Sequence, residues 1–109
     1  VPAYAMALGT PVIATDYAGT QDFCTAKTAH VIPWRKRLVR PGEPIYPLEN
    51  AFWAEIDHEA LAAAMQDVVG NPEAAKQRAM CGKTLMLNDY SQEALRGRYI
   101  KRLTALNLI

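Results

Sequence analysis

The sequence predicts an α/β fold: a partial doubly wound parallel sheet followed by C-terminal helices. Three observations support this prediction. Short apolar segments at 12–15 and 29–33 suit buried strands, a short helical stretch leads directly into the first of them, and helical periodicity fills the chain from residue 57 onward. Alternating helices and strands are typical of parallel sheets. We expect a single partial domain over 1–109, with a helix–strand–helix–strand segment at 1–33, a surface excursion at 34–50 and a helical part at 57–106.

The opening helix is predicted over 3–8, which is rich in alanine and other good helix formers. Gly9, followed by Thr10 and Pro11, is a typical helix stop. The run 12–15 is apolar and β-branched, as in strands that are covered on both faces. A loop at 16–20 and one helical turn within 21–26 then lead to the second strand, which ends at a proline.

The number of strands indicates that the sheet is incomplete. Two convincing strands are too few for a stable parallel sheet. We therefore expect the strand at 12–15 to pair with a further strand outside this sequence. The chain begins at Val1 within what looks like the interior of an α/β unit, so we interpret it as a piece of a longer protein.

The stretch 34–50 breaks the pattern because its prolines forbid a helix. Four of the twelve Lys and Arg residues lie between 35 and 40, next to Trp34. Such a run either steers an anionic acceptor, touches anionic lipid headgroups, or is an ordinary solvated loop. We therefore predict a surface excursion here and leave these alternatives open.

Three helices are predicted in the C-terminal half, with N-caps at Asp57, Asn71 and Ser91. Pro72 suits the first turn of the second of these helices. Each helix has a narrow face suited to packing. The faces are Leu61, Ala64, Met65 and Val68; Ala75, Ala79, Gly82 and Met86; and Leu95, Tyr99, Leu103 and Leu106. We expect the last helix to bury Leu95, Tyr99 and Leu103, and the tail 106–109 to be less well packed.

Composition excludes several classes of protein. Half of the 109 residues are hydrophobic and the net charge is +1, which argues against disorder and against nucleic acid as a partner. The sequence lacks an apolar run of membrane-spanning length and a signal peptide, so we expect a cytoplasmic protein. Cys24 and Cys81 are interpreted as buried thiols. The two histidines and two cysteines lack metal-ligand spacing, and we predict no metal and no bound cofactor.

Candidate site residues follow from topology, because open α/β sheets bind ligands at the carboxyl ends of their strands. The N-terminus of the first helix, near Val1 and Tyr4, suits a diphosphate. Thr15 and Asp16 are placed to bond sugar or ribose hydroxyls, or else to form the turn. Gly19 is expected to give the turn a permissive backbone, and Asp22 to cap the helical turn. His30, within an apolar strand, is interpreted as an interior imidazole, whereas His58 is expected to be exposed.

The segment 5–16, Ala-Met-Ala-Leu-Gly-Thr-Pro-Val-Ile-Ala-Thr-Asp, together with Gly19 and Asp22, resembles the C-terminal domain of GT-B retaining glycosyltransferases of family 4. Members of that family carry Glu-Ala-Met-Ala-x-Gly-x-Pro-Val-Ile-Ala-Thr before a glycine-containing loop. The segments 53–55 and 90–103 resemble their closing helices. The resemblance implies a Rossmann-like half of a GT-B C-terminal domain, with residues 34–50 the least constrained.

The resemblance implies transfer of a sugar from a nucleotide-sugar donor to a saccharide or lipid-linked acceptor, usually without a metal. The N-terminal domain that completes the cleft would be missing here, so the fragment alone is expected to be inactive. Polysaccharide biosynthesis is the implied setting, in the cytoplasm or at the inner face of the membrane. The alternative is a noncatalytic α/β interaction module derived from the same fold.

Tyr4 departs from the family pattern. The family binds its donor with two glutamates eight positions apart, and the second, which bonds the ribose hydroxyls, falls on Tyr4. A phenol lacks the two charged acceptor oxygens of a carboxylate. Either this branch recognises its donor differently, or it has lost the activity, or the sequence carries a local error. Ala18 also stands where the family commonly has a second glycine.

Overall fold

The computed structural model describes residues 1–43 and 50–109. This part of the chain is mixed α/β, with four α-helices, one 3₁₀ helix and four short strands. In chain order these are α1 (Pro2–Leu8), β1 (Ile13–Thr15), the 3₁₀ helix (Ala18–Asp22), β2 (His30–Ile32), β3 (Trp34–Leu38), β4 (Phe52–Ile56), α2 (His58–Gly70), α3 (Pro72–Asp89) and α4 (Gln92–Ala105).

Two small sheets form, each from two strands. β1 and β2 pair in parallel, with Ile13 opposite His30 and Thr15 opposite Ile32. β3 and β4 pair antiparallel as a ribbon, with Trp34 opposite Ile56. The predicted parallel ladder at 12–15 is therefore confirmed, and its partner lies within the chain. A full doubly wound sheet is not present among the described residues.

The core lies where α1 packs against α3. Met6 of α1 is fully buried, and its Sδ lies 3.9 Å from Cys24 Sγ. Gly82 of α3 allows this close approach, because a Cβ there would lie 2.8 Å from Met6 Cε and 3.1 Å from the Thr28 carbonyl oxygen. The predicted face of α3 is confirmed in full, since its buried residues are Ala75, Ala79, Gly82 and Met86.

The predicted helix ends agree with the structure at several positions. Gly9 ends α1 in the left-handed conformation, with φ of 78°. Asp57 caps α2 by accepting hydrogen bonds from the N–H groups of Glu59 and Ala60, and Ser91 caps α4 by accepting from Ala94 N–H. Asn71 precedes Pro72 at the start of α3, but its side chain does not cap that helix. The local chemistry of the sequence thus sets most helix boundaries.

The prediction for the last helix was wrong. No residue of α4 is buried, and Tyr99 is 68% exposed. The tail residues Leu106, Leu108 and Ile109 are exposed, as expected. The radius of gyration, 17.7 Å, exceeds the roughly 13 Å of a compact domain of 100 residues. The elements therefore form an open arrangement, and no other described element buries the apolar face of α4.

Two further expectations need correction. The surface excursion at 34–50 contains the strand β3, and β4 follows at 52; the prolines at 44 and 47 lie outside the described residues. Residues 34–38, Trp-Arg-Lys-Arg-Leu, show no apolar alternation, and β3 forms because these residues pair with 52–56. Cys24 is buried as predicted, whereas Cys81 is exposed, because it lies on the face of α3 opposite the buried stripe.

Candidate ligand-binding edge at the carboxyl ends of β1 and β2

The predicted site lies at one edge of the parallel pair. β1 and β2 end side by side, and the Asp16 N–H donates to the Ile32 carbonyl at 2.9 Å. Residues 9–12 connect α1 to β1, so Val1 and Tyr4 lie at the far end of the helix that precedes this strand.

The loop after β1 is held by its own side chains. Gln21 Nε2 donates to Asp16 Oδ1 at 3.0 Å and to the Asp16 carbonyl at 3.3 Å. Thr20 Oγ1 donates to the carbonyls of Tyr17, at 2.9 Å, and Thr15, at 3.3 Å. The Asp16 carboxylate is thus both a turn-forming group, as one reading of the sequence predicted, and an exposed acceptor at the sheet edge.

The prediction that Gly19 gives the turn its permissive backbone was wrong by one residue. Ala18, and not Gly19, has a positive φ, of 56°. A Cβ added at Gly19 would meet nothing within 4 Å, so this glycine serves neither a strained turn nor a close approach. The left-handed conformation disfavours alanine. Asp22 also differs from expectation: it is the last residue of the 3₁₀ helix, whose N-cap is Tyr17.

The N-terminus of α1 is open to solvent. Val1 is fully exposed and Tyr4 is 80% exposed. Pro2 lacks an N–H and Ala5 N–H already donates to the Val1 carbonyl at 3.2 Å, which leaves the N–H groups of Ala3 and Tyr4 as donors at this end. Within the described chain no side-chain hydrogen bond joins Tyr4 to the loop after β1.

An aromatic cluster beside the loop was missed in the sequence. The Tyr17 ring meets the Trp34 ring edge-on at 4.7 Å, and Trp34 stacks on Phe52 at 6.2 Å. Lys36 Nζ lies 4.6 Å from the centre of the Phe52 ring. The sequence did contain a signal for this cluster, because an aromatic residue, Tyr17 or Trp34, lies two positions after the end of each parallel strand. The cluster fixes one face of the ribbon against the loop.

The other face of the ribbon carries an ion-pair network. Glu55 bonds Arg35 Nε at 2.7 Å and Arg37 Nε at 3.2 Å, and Arg37 also bonds Glu43 at 3.1 Å. Hydrogen bonding from Arg35 lowers the pKa of Glu55, and hydrogen bonding from Arg37 lowers the pKa of Glu43. Part of the predicted basic run is therefore paired and organises the ribbon.

His30 is an interior imidazole, as predicted. It is buried, and its Nε2 lies 3.0 Å from Asp67 Oδ2 on α2. Asn71 Nδ2 donates to the other carboxylate oxygen at 2.6 Å. Hydrogen bonds from Asn71 and His30 lower the pKa of Asp67. This group joins β2 to the junction of α2 and α3. His58 is exposed, also as predicted.

A cleft of about 420 Å³ lies between the base of the ribbon and the start of α2. Its polar lining combines an arginine, a histidine and three carboxylates beside an indole. These residues are Trp34, Arg35, Glu55, Asp57, His58 and Glu59. Across 1–43 and 50–109, no three His, Cys, Asp or Glu side chains are grouped so as to hold a metal ion.

No helix in the described part of the chain has the length and apolarity needed to cross a bilayer. Comparisons with protein-family models, curated proteins and solved structures found no match for this chain.

Proposed function

We propose that this chain is the nucleotide-sugar-binding part of a retaining glycosyltransferase, a Rossmann-like portion of a GT-B C-terminal domain similar to family 4. The observation that carries the proposal is the parallel register of β1 with β2, with the loop after Thr15 at their carboxyl edge. Open α/β sheets bind ligands at this edge. The proposal also depends on the motif at 5–16 that leads into the loop.

In this proposal the donor diphosphate lies against the N-terminus of α1. The N–H groups of Ala3 and Tyr4 donate there, and the helix dipole favours negative charge. Thr15 and the exposed Asp16 carboxylate accept hydrogen bonds from donor hydroxyls. The leaving nucleoside diphosphate is stabilised by positioning and electrostatics, without a covalent protein intermediate. A further domain would supply the rest of the cleft, and the acceptor is a saccharide or a lipid-linked sugar.

Titration of the ¹⁵N-labelled chain with UDP-glucose and GDP-mannose, followed by NMR chemical shifts, tests the proposal. We expect shifts at residues 3–4 and 15–19. Tyr4→Glu restores a charged acceptor pair and should tighten binding by about tenfold, since hydrogen bonds to charged groups contribute roughly 1.5–3 kcal/mol.

Leu8→Glu is the matched control for this variant. Leu8 lies on the same helix and is 78% exposed, so the variant adds the same charge away from the N-terminus. We expect it to leave donor affinity unchanged. If neither the natural chain nor Tyr4→Glu shifts the loop after β1 with either donor at 10-fold molar excess and millimolar concentration, the functional assignment fails.

The second candidate, a noncatalytic interaction module, is favoured by one observation. The apolar face of α4 is uncovered in the described chain, with Leu95, Tyr99 and Leu103 all exposed. A module of this kind would bind a protein through that face and would show no loop shifts with either nucleotide sugar. The same titration therefore separates the two functions.

A further inference from the structure

We propose that the cleft between the ribbon and α2 is a saccharide subsite. Its volume, about 420 Å³, lies within the range of small-molecule sites. As a sugar-binding cleft it stands on its own geometry. Its assignment as the place where an acceptor sugar sits depends on the proposed glycosyl transfer.

The polar groups of the cleft are both donors and acceptors. Arg35 Nε donates to Glu55 at 2.7 Å, the Arg35 side chain is 81% exposed, and its two terminal nitrogens make no hydrogen bond within the described chain. Asp57 uses Oδ1 to cap α2, and its Oδ2 has no partner among the described residues. The Glu59 carboxylate and the His58 ring likewise make no side-chain hydrogen bond in that part of the chain. A pair of donors held by one ion pair therefore lies in the same cleft as several acceptors.

The charges and hydrogen-bonding groups of the cleft indicate which class of ligand suits it. Three carboxylates and one arginine line the cleft, so a phosphate that bonds Arg35 would also face repulsion from Asp57 and Glu59. A simple amine could pair with Asp57 or Glu59 but would leave the terminal nitrogens of Arg35 without an acceptor. A sugar hydroxyl both donates and accepts, so adjacent hydroxyls satisfy Arg35 and a carboxylate together. Trp34 adds an apolar surface for the ring of the sugar.

The position of the cleft connects it to the predicted donor edge. Trp34 lines the cleft and also contacts Tyr17, which belongs to the loop after β1. The Pro33 carbonyl accepts from Asp57 N–H at 3.3 Å, which holds the start of α2 at the end of β2. A saccharide bound in the cleft would therefore lie next to Trp34, and Trp34 contacts Tyr17 in the loop that carries Asp16.

The test is an NMR titration of the whole ¹⁵N-labelled chain with methyl α-D-glucopyranoside, with inorganic phosphate and putrescine as competing probes. We expect shifts at the Trp34 indole, at Arg35 and at residues 57–59, with a dissociation constant of about 1–10 mM for a site of a few hydrogen bonds. Phosphate and putrescine should not reproduce them.

Two variants have matched controls. Arg35→Ala removes the donor pair but leaves Glu55 bonded to Arg37, and its control is Arg96→Ala, because Arg96 pairs with Glu93 on α4. Glu59→Gln has Glu73→Gln as its control, because both glutamates are the second residue of a helix. We expect Arg35→Ala and Glu59→Gln each to weaken binding by about three- to tenfold, and the two controls to leave it unchanged.

The assignment is overturned if phosphate or putrescine shifts these signals and the glycoside does not, if glycoside shifts map instead to α4, or if either variant behaves like its control. Failure here is distinguishable from failure of the proposed function. Loss of shifts at 15–19 with nucleotide sugars, while the glycoside still binds the cleft, rejects glycosyl transfer alone. Donor shifts without cleft shifts reject the saccharide subsite alone.

Discussion

Helices α3 and α4 differ in what covers them, although the sequence predicted a packing face for both. The face of α3 is made of three small residues and Met86, and it is buried where α3 packs against α1. The face of α4 is made of larger apolar residues, and none is buried. Helical periodicity therefore identifies a face that can pack, but burial depends on whether another element is present to cover it.

Truncation of one side chain in each helix should give the largest difference in the free energy of unfolding. Met86→Ala in α3 should lower the free energy of unfolding by about 2–4 kcal/mol, because it opens a cavity in the core. Leu103→Ala in α4 should lower it by less than about 1 kcal/mol, because that side chain already contacts water. Urea denaturation followed by circular dichroism measures both. Equal losses would mean that α4 is packed in solution.

A second comparison uses the glycine in each helix. Gly82→Ala should lower the free energy of unfolding by about 1 kcal/mol, since its Cβ would meet Met6 and the backbone oxygen of Thr28. Gly97→Ala should raise it by about 0.5–1 kcal/mol, because a Cβ there meets nothing within 4 Å and alanine favours a helix interior. Changes of opposite sign in the thermal unfolding of the two variants would support this difference between α3 and α4. Changes of the same sign would contradict it.

The smallest effect concerns pH at the start of α3. Hydrogen bonds from Asn71 and His30 lower the pKa of Asp67 below its ordinary value of 3.8. A lowered carboxyl pKa contributes stability above the unfolded-state pKa, and that contribution is lost as pH falls through the folded-state pKa. The protection factors of amides at the junction of α2 and α3, which are exchange rates corrected for the intrinsic rate at each pH, should therefore fall below about pH 4.

Asp67→Asn is the control for this pH effect. The variant should be less stable at pH 7. Its amide protection at that junction should also depend less on pH. The Asp67 carboxylate bonds His30 and Asn71 and no residue of α4. The exchange of α4 amides should therefore depend on pH in the same way in both proteins. A natural chain as insensitive to acid at the junction as Asp67→Asn would show that this carboxylate does not hold α3 in place.

Much of the fold was predictable where one local rule decided the outcome. Gly9, Asp57 and Ser91 marked helix ends through backbone conformation and capping chemistry. The apolar run before Thr15 indicated a covered strand, and β1 lies in a parallel ladder. The candidate edge was placed by the same reasoning, because a parallel strand has a defined carboxyl end.

The ribbon and its cleft were not predictable in the same way. The sequence around Arg35 and Arg37 suggested a hydrated excursion, but Glu55 lies twenty and eighteen positions further along the chain and pairs with both. Likewise, Trp34 and Tyr17 come together only because the parallel strands that precede them, β2 and β1, are neighbours. Charge and aromatic patterns do not specify distant partners, and the cleft depends on those partners.

Local sequence was enough to place most helix ends, the buried face of α3 and the interior position of His30, because each depends on residues within a turn or two or on the exclusion of water from an apolar segment. Three features became clear only from the folded chain: the described residues leave α4 uncovered, Ala18 takes the left-handed conformation in place of Gly19, and the basic run folds into a paired ribbon. The physical reason is range: capping and periodicity act over a few residues, whereas burial and ion pairing require atoms that the chain brings together from far apart.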